Sequence, residues 1–190
     1  RMYERYDEGR QLMTQHWPYG EMGMAMQNPY WIINRNMFNN DRDRYMANAG
    51  LKYKVFDWMD ISGRVRIDNA NTRHTKKLYA STDAKFAQSK GYYGDRKDVD
   101  KQLYADFLVN INKRFNDFDL TANVGASIQD VSMDYVGAEG QLSMIPNFFT
   151  LHNVDLGANN SRIKQDGWKE QTQSVFASAE LGWKSMIYLS

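Results

Sequence analysis

The most regular feature of the chain is a strict alternation of apolar and polar residues. It is longest in residues 118–130, which follow the short polar link Asn116-Asp117. One series of positions is apolar and the intervening series is polar: Leu120, Ala122, Val124, Ala126 and Ile128 against Asp119, Thr121, Asn123, Gly125, Ser127 and Gln129. Successive side chains of a strand point to opposite faces, whereas a helix would place apolar residues three and four positions apart. The pattern therefore predicts a β-strand.

The segment before this link alternates in the same way, so residues 102–130 are predicted to form a β-hairpin. Equivalent alternation predicts hairpins over residues 45–69 and 172–190. The chain is therefore expected to be all-β, with about six antiparallel strands joined in pairs by short turns. The remaining residues are interpreted as long polar connections, of which the first is an extracellular loop region: 1–44, 70–101 and 131–171.

The length of the alternating segments favours strands that cross a membrane. Soluble strands are typically about 5–6 residues long, whereas a tilted strand that crosses a bilayer needs about 9–11. Short turns at one end of the strands and long loops at the other are the arrangement of outer-membrane barrels, with the turns periplasmic and the loops extracellular. The alternative is a soluble or surface-attached β-sandwich that binds glycans through its loops. Loops of this length would be unusual in such a compact domain.

Aromatic residues flank each of the predicted turns. They are Phe56, Trp58, Phe115, Phe118, Trp183 and Tyr188. Because the three turns lie at the same end of their strands, these rings predict one aromatic belt at a membrane interface.

Composition narrows the classes of function. The 190 residues include 24 Lys+Arg and 23 Asp+Glu, and this net charge of +1 gives no basic signal for nucleic acid. Mean hydropathy is −0.71, so transmembrane helices are not expected. Cysteine is absent, and the scattered His16, His74 and His152 match neither the spacing of a metal site nor that of a catalytic triad. We therefore expect no enzyme activity, no cofactor and no metal centre.

Several separated segments resemble one protein family. NPYW at 28–31 and NRNMFNNDRDRYMANAGLKYKVFDWMDISGRVRID at 34–68 resemble the SusC/RagA-like TonB-dependent outer-membrane transporters of Bacteroidetes. LSMIPNFFTLHNV at 142–154 and SVFASAELGWKSMIYLS at 174–190 are similar to later barrel segments of that family. The segments occur in the expected order and cover most of residues 28–190, whereas residues 1–27 match less clearly.

The resemblance implies both a fold and a function. Such transporters have a barrel of about 22 strands that is plugged by an N-terminal domain. They import oligosaccharides or peptides with energy passed on by TonB, and a SusD-like lipoprotein covers them at the cell surface. No plug, TonB-contacting segment or final barrel strand is recognised here. The chain is therefore expected to be a fragment of the barrel wall of a larger protein, in contact with outer-membrane lipid.

Aromatic residues in the predicted connections are the candidate contacts for a ligand or for the partner lipoprotein. They are Tyr30, Trp31, Tyr92, Tyr93, Phe148, Phe149 and Trp168. Aromatic rings offer a large contact area with few rotatable bonds to immobilise, so they suit stacking on sugars or packing against a protein. The alternative is that these rings pack the loops against one another.

Other polar and sulfur-containing patterns have simpler interpretations. The charged residues of the polar series either line the lumen and anchor a plug or pair with one another across strands: Lys52, Lys54, Arg64, Arg66 and Asp68. NNDRDR at 39–44 and DRKDVD at 95–100 lack the spacing of a calcium loop and are expected to be solvated loops. Met22, Met24 and Met26 are interpreted as apolar filling and not as a copper(I) site.

Overall fold

The computed structural model describes residues 2–19, 27–83, 85–184 and 186–190. Met22, Met24 and Met26 lie outside these described residues. The strands are β1 (Glu4–Asp7), β2 (Leu12–Gln15), β3 (Asn36–Phe56), β4 (Met59–Tyr79), β5 (Gly91–Phe115), β6 (Phe118–Gln141), β7 (Arg162–Trp183) and β8 (Ile187–Leu189). One α-helix, α1 (Pro29–Arg35), and a 3-10 turn at Leu151–Asn153 complete the secondary structure of the described residues.

The strands form two sheets. β1 and β2 pair antiparallel, with Glu4 opposite Gln15. The other six strands form one antiparallel sheet in the order β3-β4-β5-β6-β7-β8, in which spatial neighbours are also consecutive along the chain. The predicted all-β fold class is therefore confirmed, and the simple meander order is that of part of an antiparallel barrel wall.

The long strands extend well beyond the predicted hairpins. β4 continues to Tyr79 and β5 begins at Gly91, so the connection predicted at 70–101 contains only residues 80–90 outside strands. In the same way, the connection predicted at 131–171 shrinks to residues 142–161, and β3 already begins within the loop region predicted at 1–44. The sequences at 39–44 and 95–100 are therefore strand residues and not loops.

The physical reason for this difference is that a strand needs backbone partners, not apolar side chains. Arg73 on β4 and Asp95 on β5 form two hydrogen bonds, at 3.0 and 2.6 Å, in a part of the sheet where apolar alternation is absent. Such charged pairs stabilise neighbouring strands as apolar pairs do. Hydrophobic periodicity alone therefore underestimates the length of these strands.

The tight turns lie where the sequence predicts them. Asp57 and Trp58 join β3 to β4, and Asn116 and Asp117 join β5 to β6. Asn116 has a φ of 50°, in the left-handed region that asparagine tolerates better than most residues. The turn after β7 also uses a left-handed residue, Lys184, with a φ of 49°.

Helix α1 replaces part of the predicted first loop. The side chain of Asn28 caps it by accepting a hydrogen bond from the backbone N–H of Tyr30 at 3.0 Å, and Pro29 occupies the first helical turn. The helix buries Trp31 completely, and the indole Nε1 donates a hydrogen bond to Thr82 Oγ1 at 2.9 Å. This contact attaches α1 to the connection between β4 and β5.

The described chain divides into two compact units. Unit 1 comprises residues 1–43, 71–99 and 134–166, and unit 2 comprises residues 44–70, 100–133 and 167–190. Unit 1 contains small apolar clusters: one of Leu78, Ala87 and Tyr92, and one of Tyr93, Leu142 and Val154. The side chain of Asn153 organises the loop beside the second cluster through four hydrogen bonds to backbone groups of the loop.

Unit 2 is built differently, because its apolar side chains are largely exposed. Ala70 is its only buried hydrophobic residue among those that the structure describes. By contrast, Leu51 and Val175 are 85% and 84% exposed. Gly125 provides a close contact within the sheet, since the ring of Phe176 lies directly over it and a Cβ atom there would come 2.8 Å from the carbonyl oxygen of Phe107.

Substitution of Gly125 by alanine should therefore destabilise the protein. The added methyl group would overlap Phe176 and the backbone at Phe107, and overpacking of this kind costs about 1–3 kcal/mol. We expect a lower midpoint of thermal unfolding, followed by circular dichroism in detergent. The control is Gly63→Ala, where the nearest atom to the new Cβ is 3.7 Å away and little change is expected. Equal stability of the two variants would contradict this packing.

Candidate functional site

Four of the seven aromatic residues predicted to contact a ligand pack inside unit 1. Trp31 has no exposed surface, and Tyr92 and Tyr93 are only 6% and 5% exposed. Phe149 packs on Tyr93 with 6.1 Å between ring centres, and edge-to-face on Tyr79 at 4.8 Å. These rings hold the loops and strand ends together, as the alternative interpretation of the sequence predicts.

The other three aromatic residues are exposed but do not form one surface. Tyr30 and Phe148 belong to unit 1 and are 49% and 54% exposed. Trp168 is equally exposed, but it lies within strand β7 in unit 2 and not in a loop as predicted. The structure therefore leaves Tyr30 and Phe148 as the accessible aromatic residues of this set in unit 1.

Three of the aromatic residues that flank the turns lie close together in unit 2. Phe56 stacks on Trp58 with 5.2 Å between ring centres. Lys113 lies over the rings of both Trp58 and Phe115, at 4.5 and 5.0 Å from their centres. The turn after β7 joins the same group, because the backbone N–H of Lys184 donates to the carbonyl of Asp117 at 2.7 Å.

Trp183, Phe118 and Tyr188 are the other three aromatic residues that flank the turns. Lys184 lies over the ring of Trp183 at 5.2 Å, and Phe118 and Tyr188 are 44% and 57% exposed. We call the six residues Phe56, Trp58, Phe115, Phe118, Trp183 and Tyr188 the turn aromatics. Rings and lysine ammonium groups alternate here, so the turns of unit 2 present amphipathic groups and not an apolar core.

The polar series of unit 2 is paired internally. Lys52 lies 3.2 Å from Asp60, and Arg64 lies 2.9 Å from Asp106. Lys54 contacts Asp57 at 2.7 Å. Asp68 receives two guanidinium groups, from Arg44 at 2.6 Å and from Arg66 at 3.9 Å. The charges predicted to line a lumen are thus all paired, across strands for Lys52 and Arg64 and locally for Lys54 and Arg66.

A cavity of about 280 Å³ lies on the sheet of unit 1, and we call it the polar cavity. Residues of all five long strands line it. Most of the lining side chains fall, by their position in the alternation, on the polar series of their strands: Phe38, Asn40, His74, Lys76, Arg96, Glu139, Arg162 and Lys164. Thr75, Asp95 and Ala138 also line the cavity but belong to the other series. A polar, charge-lined concavity of this kind is the most site-like feature of the described residues.

Two glycines line the polar cavity where neighbouring residues approach closely. Gly94 on β5 and Gly137 on β6 both line it. A Cβ atom at Gly94 would come within 3.0 Å of Glu139, and one at Gly137 within 2.7 Å of Arg96. Side chains at these positions would therefore displace the charged groups that surround the cavity. Glycine in the interior of a strand is a sequence signal for such a close approach, although it does not reveal which residues approach.

Ion pairs fix some of the charges around the cavity. Arg96 binds Asp98 at 2.6 Å and lies over the ring of Tyr135 at 4.2 Å. His74 contacts Asp98 through Nε2 at 3.4 Å and Asn40 Oδ1 through Nδ1 at 2.6 Å. Lys76 makes a long contact of 3.8 Å with Glu139 and lies over the ring of Tyr92 at 4.5 Å.

Burial and charge change the pKa values of two groups beside the cavity. Burial raises the pKa of Tyr92 to about 12, and the carboxylate of Glu139 adds to this effect. The hydrogen bonds from Arg73 lower the pKa of Asp95. At neutral pH, therefore, Tyr92 is a neutral hydrogen-bonding group and Asp95 is an anion already engaged by Arg73.

Two features are absent from the residues that the structure describes. No group of three or more His, Asp or Glu residues in that part of the chain is arranged to hold a metal ion. None of its helices is both long enough and apolar enough to cross a membrane.

Solved structures of similar fold are peptide transporters. The chain is similar to the RagAB peptide importer in the "closed-closed" state, with a TM-score of 0.70 and 17% identity over 86% of this chain. It is also similar to the RagAB peptide importer in the "open-open" state and to a further structure of the RagAB peptide transporter, with TM-scores of 0.65 and 0.64 and the same identity and coverage. The chain spans only 18% of the length of each of these proteins. No protein-family model and no curated protein matches the chain. The comparisons therefore establish a shared fold.

The pair between Arg73 and Asp95 should contribute stability that depends on pH. Because the pKa of Asp95 is lowered in the folded state, its contribution is present above the unfolded value of about 3.9 and disappears as pH falls through the folded value. Asp95→Asn should cost up to about 1 kcal/mol at pH 7, since the arginine is largely exposed.

The measurement is thermal unfolding of the wild type and of Asp95→Asn as a function of pH. The difference between them should narrow on acidification and vanish once Asp95 of the wild type is protonated. Asp43→Asn is the control, because Asp43 is an exposed carboxylate of the same unit. A difference that stays constant down to the lowest pH would show that the ion pair does not stabilise this region.

Proposed function

We propose that this chain forms part of the barrel wall of a TonB-dependent outer-membrane importer of nutrients. The observation that carries the proposal is the exposed apolar series of unit 2. On β3, β4, β5, β6 and β7 it includes Leu51, Val65, Phe107, Val124 and Val175, all at least 45% exposed. Monomeric soluble proteins rarely expose a contiguous apolar surface of this extent, whereas a barrel presents one to lipid.

The opposite series supports the same assignment. It carries the paired charges of Lys52, Asp60, Arg64 and Asp106. Charged side chains are costly on a lipid-facing surface but are tolerated on a surface that lines a water-filled lumen. One face of unit 2 would then meet lipid, and the other would meet the lumen or a plug domain.

Strand length and the turn aromatics fit a wall that crosses the membrane. The long strands contain 21 to 25 residues, more than the approximately 9–11 that a tilted strand needs to span the bilayer. Aromatic girdles mark the membrane–water interfaces of outer-membrane barrels. We therefore place the turn aromatics at the periplasmic interface, with the longer connections on the extracellular side.

The substrate and the partner belong to the same proposal. The similar solved structures are described as peptide importers, which favours peptides over oligosaccharides as the nutrient. A SusD-like lipoprotein is the proposed surface partner, and the exposed Tyr30 and Phe148 are its candidate contacts. TonB would engage a region outside this chain.

A charge placed on the apolar series tests the wall assignment. Leu51→Arg should destabilise a membrane-inserted strand by about 2–4 kcal/mol if the residue lies near the middle of the bilayer. The matched control is Asn48→Arg, an exposed position of the polar series on the same strand. Each variant is expressed in cells that carry no other copy of the gene. Leu51→Arg should then reduce the amount of the protein in the outer membrane and the rate of peptide uptake. Asn48→Arg should leave both quantities unchanged.

Two outcomes would contradict this proposal. If Leu51→Arg is tolerated as well as Asn48→Arg, and the protein purifies from the soluble fraction without detergent, the glycan-binding β-sandwich takes its place. If the protein resides in the outer membrane but cells that lack it take up peptides normally, the chain is still part of a barrel wall, but peptides are not the imported nutrient.

A further inference from the structure

The polar cavity of unit 1 carries an excess of positive charge. Four cationic side chains line it, against two carboxylates: Lys76, Arg96, Arg162 and Lys164 against Asp95 and Glu139. Asp95 is already bound by Arg73 at 2.6 Å. Arg96 is held by Asp98 at 2.6 Å. Glu139 is therefore the lining carboxylate that remains to balance Lys76, Arg162 and Lys164, and its contact with Lys76 is long, at 3.8 Å.

Two of these cations have no ion-pair partner. Among the described residues, Arg162 and Lys164 form no salt bridge, whereas Arg96 is held by Asp98. They lie two positions apart on one face of β7, which separates them by about 6.6 Å along the strand. An anion bound between them would receive charge-assisted hydrogen bonds from both side chains.

The rest of the cavity suits a peptide better than a bare anion. Phe38 provides an apolar wall that is 68% exposed, and Asn40 provides an amide that can donate to or accept from a peptide backbone. The volume of about 280 Å³ is at the small end of ligand sites, so it would accommodate a short segment of a longer ligand.

From these contacts we propose that the polar cavity binds a carboxylate-bearing segment of a peptide ligand, with Arg162 and Lys164 as the carboxylate-binding groups. This inference rests on the proposed function, because it assigns a subsite and a charge preference to the imported peptide. Phe38 contacts an apolar portion of the same ligand. The cavity thereby favours acidic peptides over neutral and basic ones.

The test uses the complete protein in detergent and three fluorescent peptides of equal length that differ at one position, which is glutamate, glutamine or lysine. Their affinities are measured for the wild type and for Arg162→Gln/Lys164→Gln. Loss of the charged contacts should weaken binding of the glutamate peptide about tenfold or more and leave the glutamine peptide unchanged. Raised salt should weaken binding of the glutamate peptide to the wild type selectively.

Two further variants test whether the preference comes from the cations of the polar cavity or from the total charge of the protein. Lys101→Gln/Lys169→Gln removes the same charge from the opposite series of β5 and β7 and should retain the wild-type preference. Arg162→Glu/Lys164→Glu should reverse the preference in favour of the lysine peptide. Each variant is used only if its midpoint of thermal unfolding equals that of the wild type, which shows that it is folded.

The results distinguish this inference from the proposed function. The wild type could bind all three peptides equally, or Arg162→Gln/Lys164→Gln could still bind the glutamate peptide more tightly than the glutamine peptide. Either result would show that the polar cavity is not the carboxylate site, although peptide import remains supported. If the wild type binds none of the peptides, both the subsite and the peptide substrate are wrong.

Discussion

Backbone hydrogen bonding between consecutive long strands is the constraint on which the rest of the structure depends. The ladder joins β3 to β8 in chain order and sorts every side chain of these strands into one of two series. A shift of one residue in any pairing would move the apolar series of that strand to the polar face. The paired charges of Lys52 with Asp60 and of Arg64 with Asp106 oppose such a shift, because they are satisfied only in the observed register.

The ladder alone does not explain why unit 2 is stable with so few buried residues. Its ion pairs are partly exposed, and pairs of this kind contribute only about 0–1 kcal/mol each. The apolar series gains stability only when something apolar covers it, at about 25 cal/mol for each Å² removed from water. Membrane lipid would cover all five long strands at once, which makes the membrane proposal an energetic account and not only a likeness of shape. Unit 1, by contrast, has its own small apolar clusters.

Sequence reasoning identifies the parts of this fold that depend on local chemistry. The strand around Val124 and the turn at Asn116 can both be predicted from the sequence, because strand period and left-handed turn residues are local properties. The extension of β5 back to Gly91 cannot be predicted in this way, since it depends on the hydrogen bond that Asp95 accepts from Arg73 of β4. Trp31 was a candidate contact in a loop, but a cap at Asn28 and a hydrogen bond to Thr82 bury it. The polar cavity is formed by residues from five strands, so its position cannot be predicted from the sequence. Only the glycines within the strands signal a close approach there.

The central claim is that the two faces of unit 2 meet different media, and neighbouring residues on β6 test it most directly. Cysteine is placed at Val124, which is 49% exposed on the apolar series, or at Asn123, which lies on the polar series. The chain has no cysteine of its own, so each label reports one position. In native membranes, we expect Cys-substituted Val124 to react with a lipid-phase probe and Cys-substituted Asn123 to react with a water-soluble thiol reagent. Reaction of both positions with the water-soluble reagent alone, or protection of Val124 from both reagents, would contradict the account.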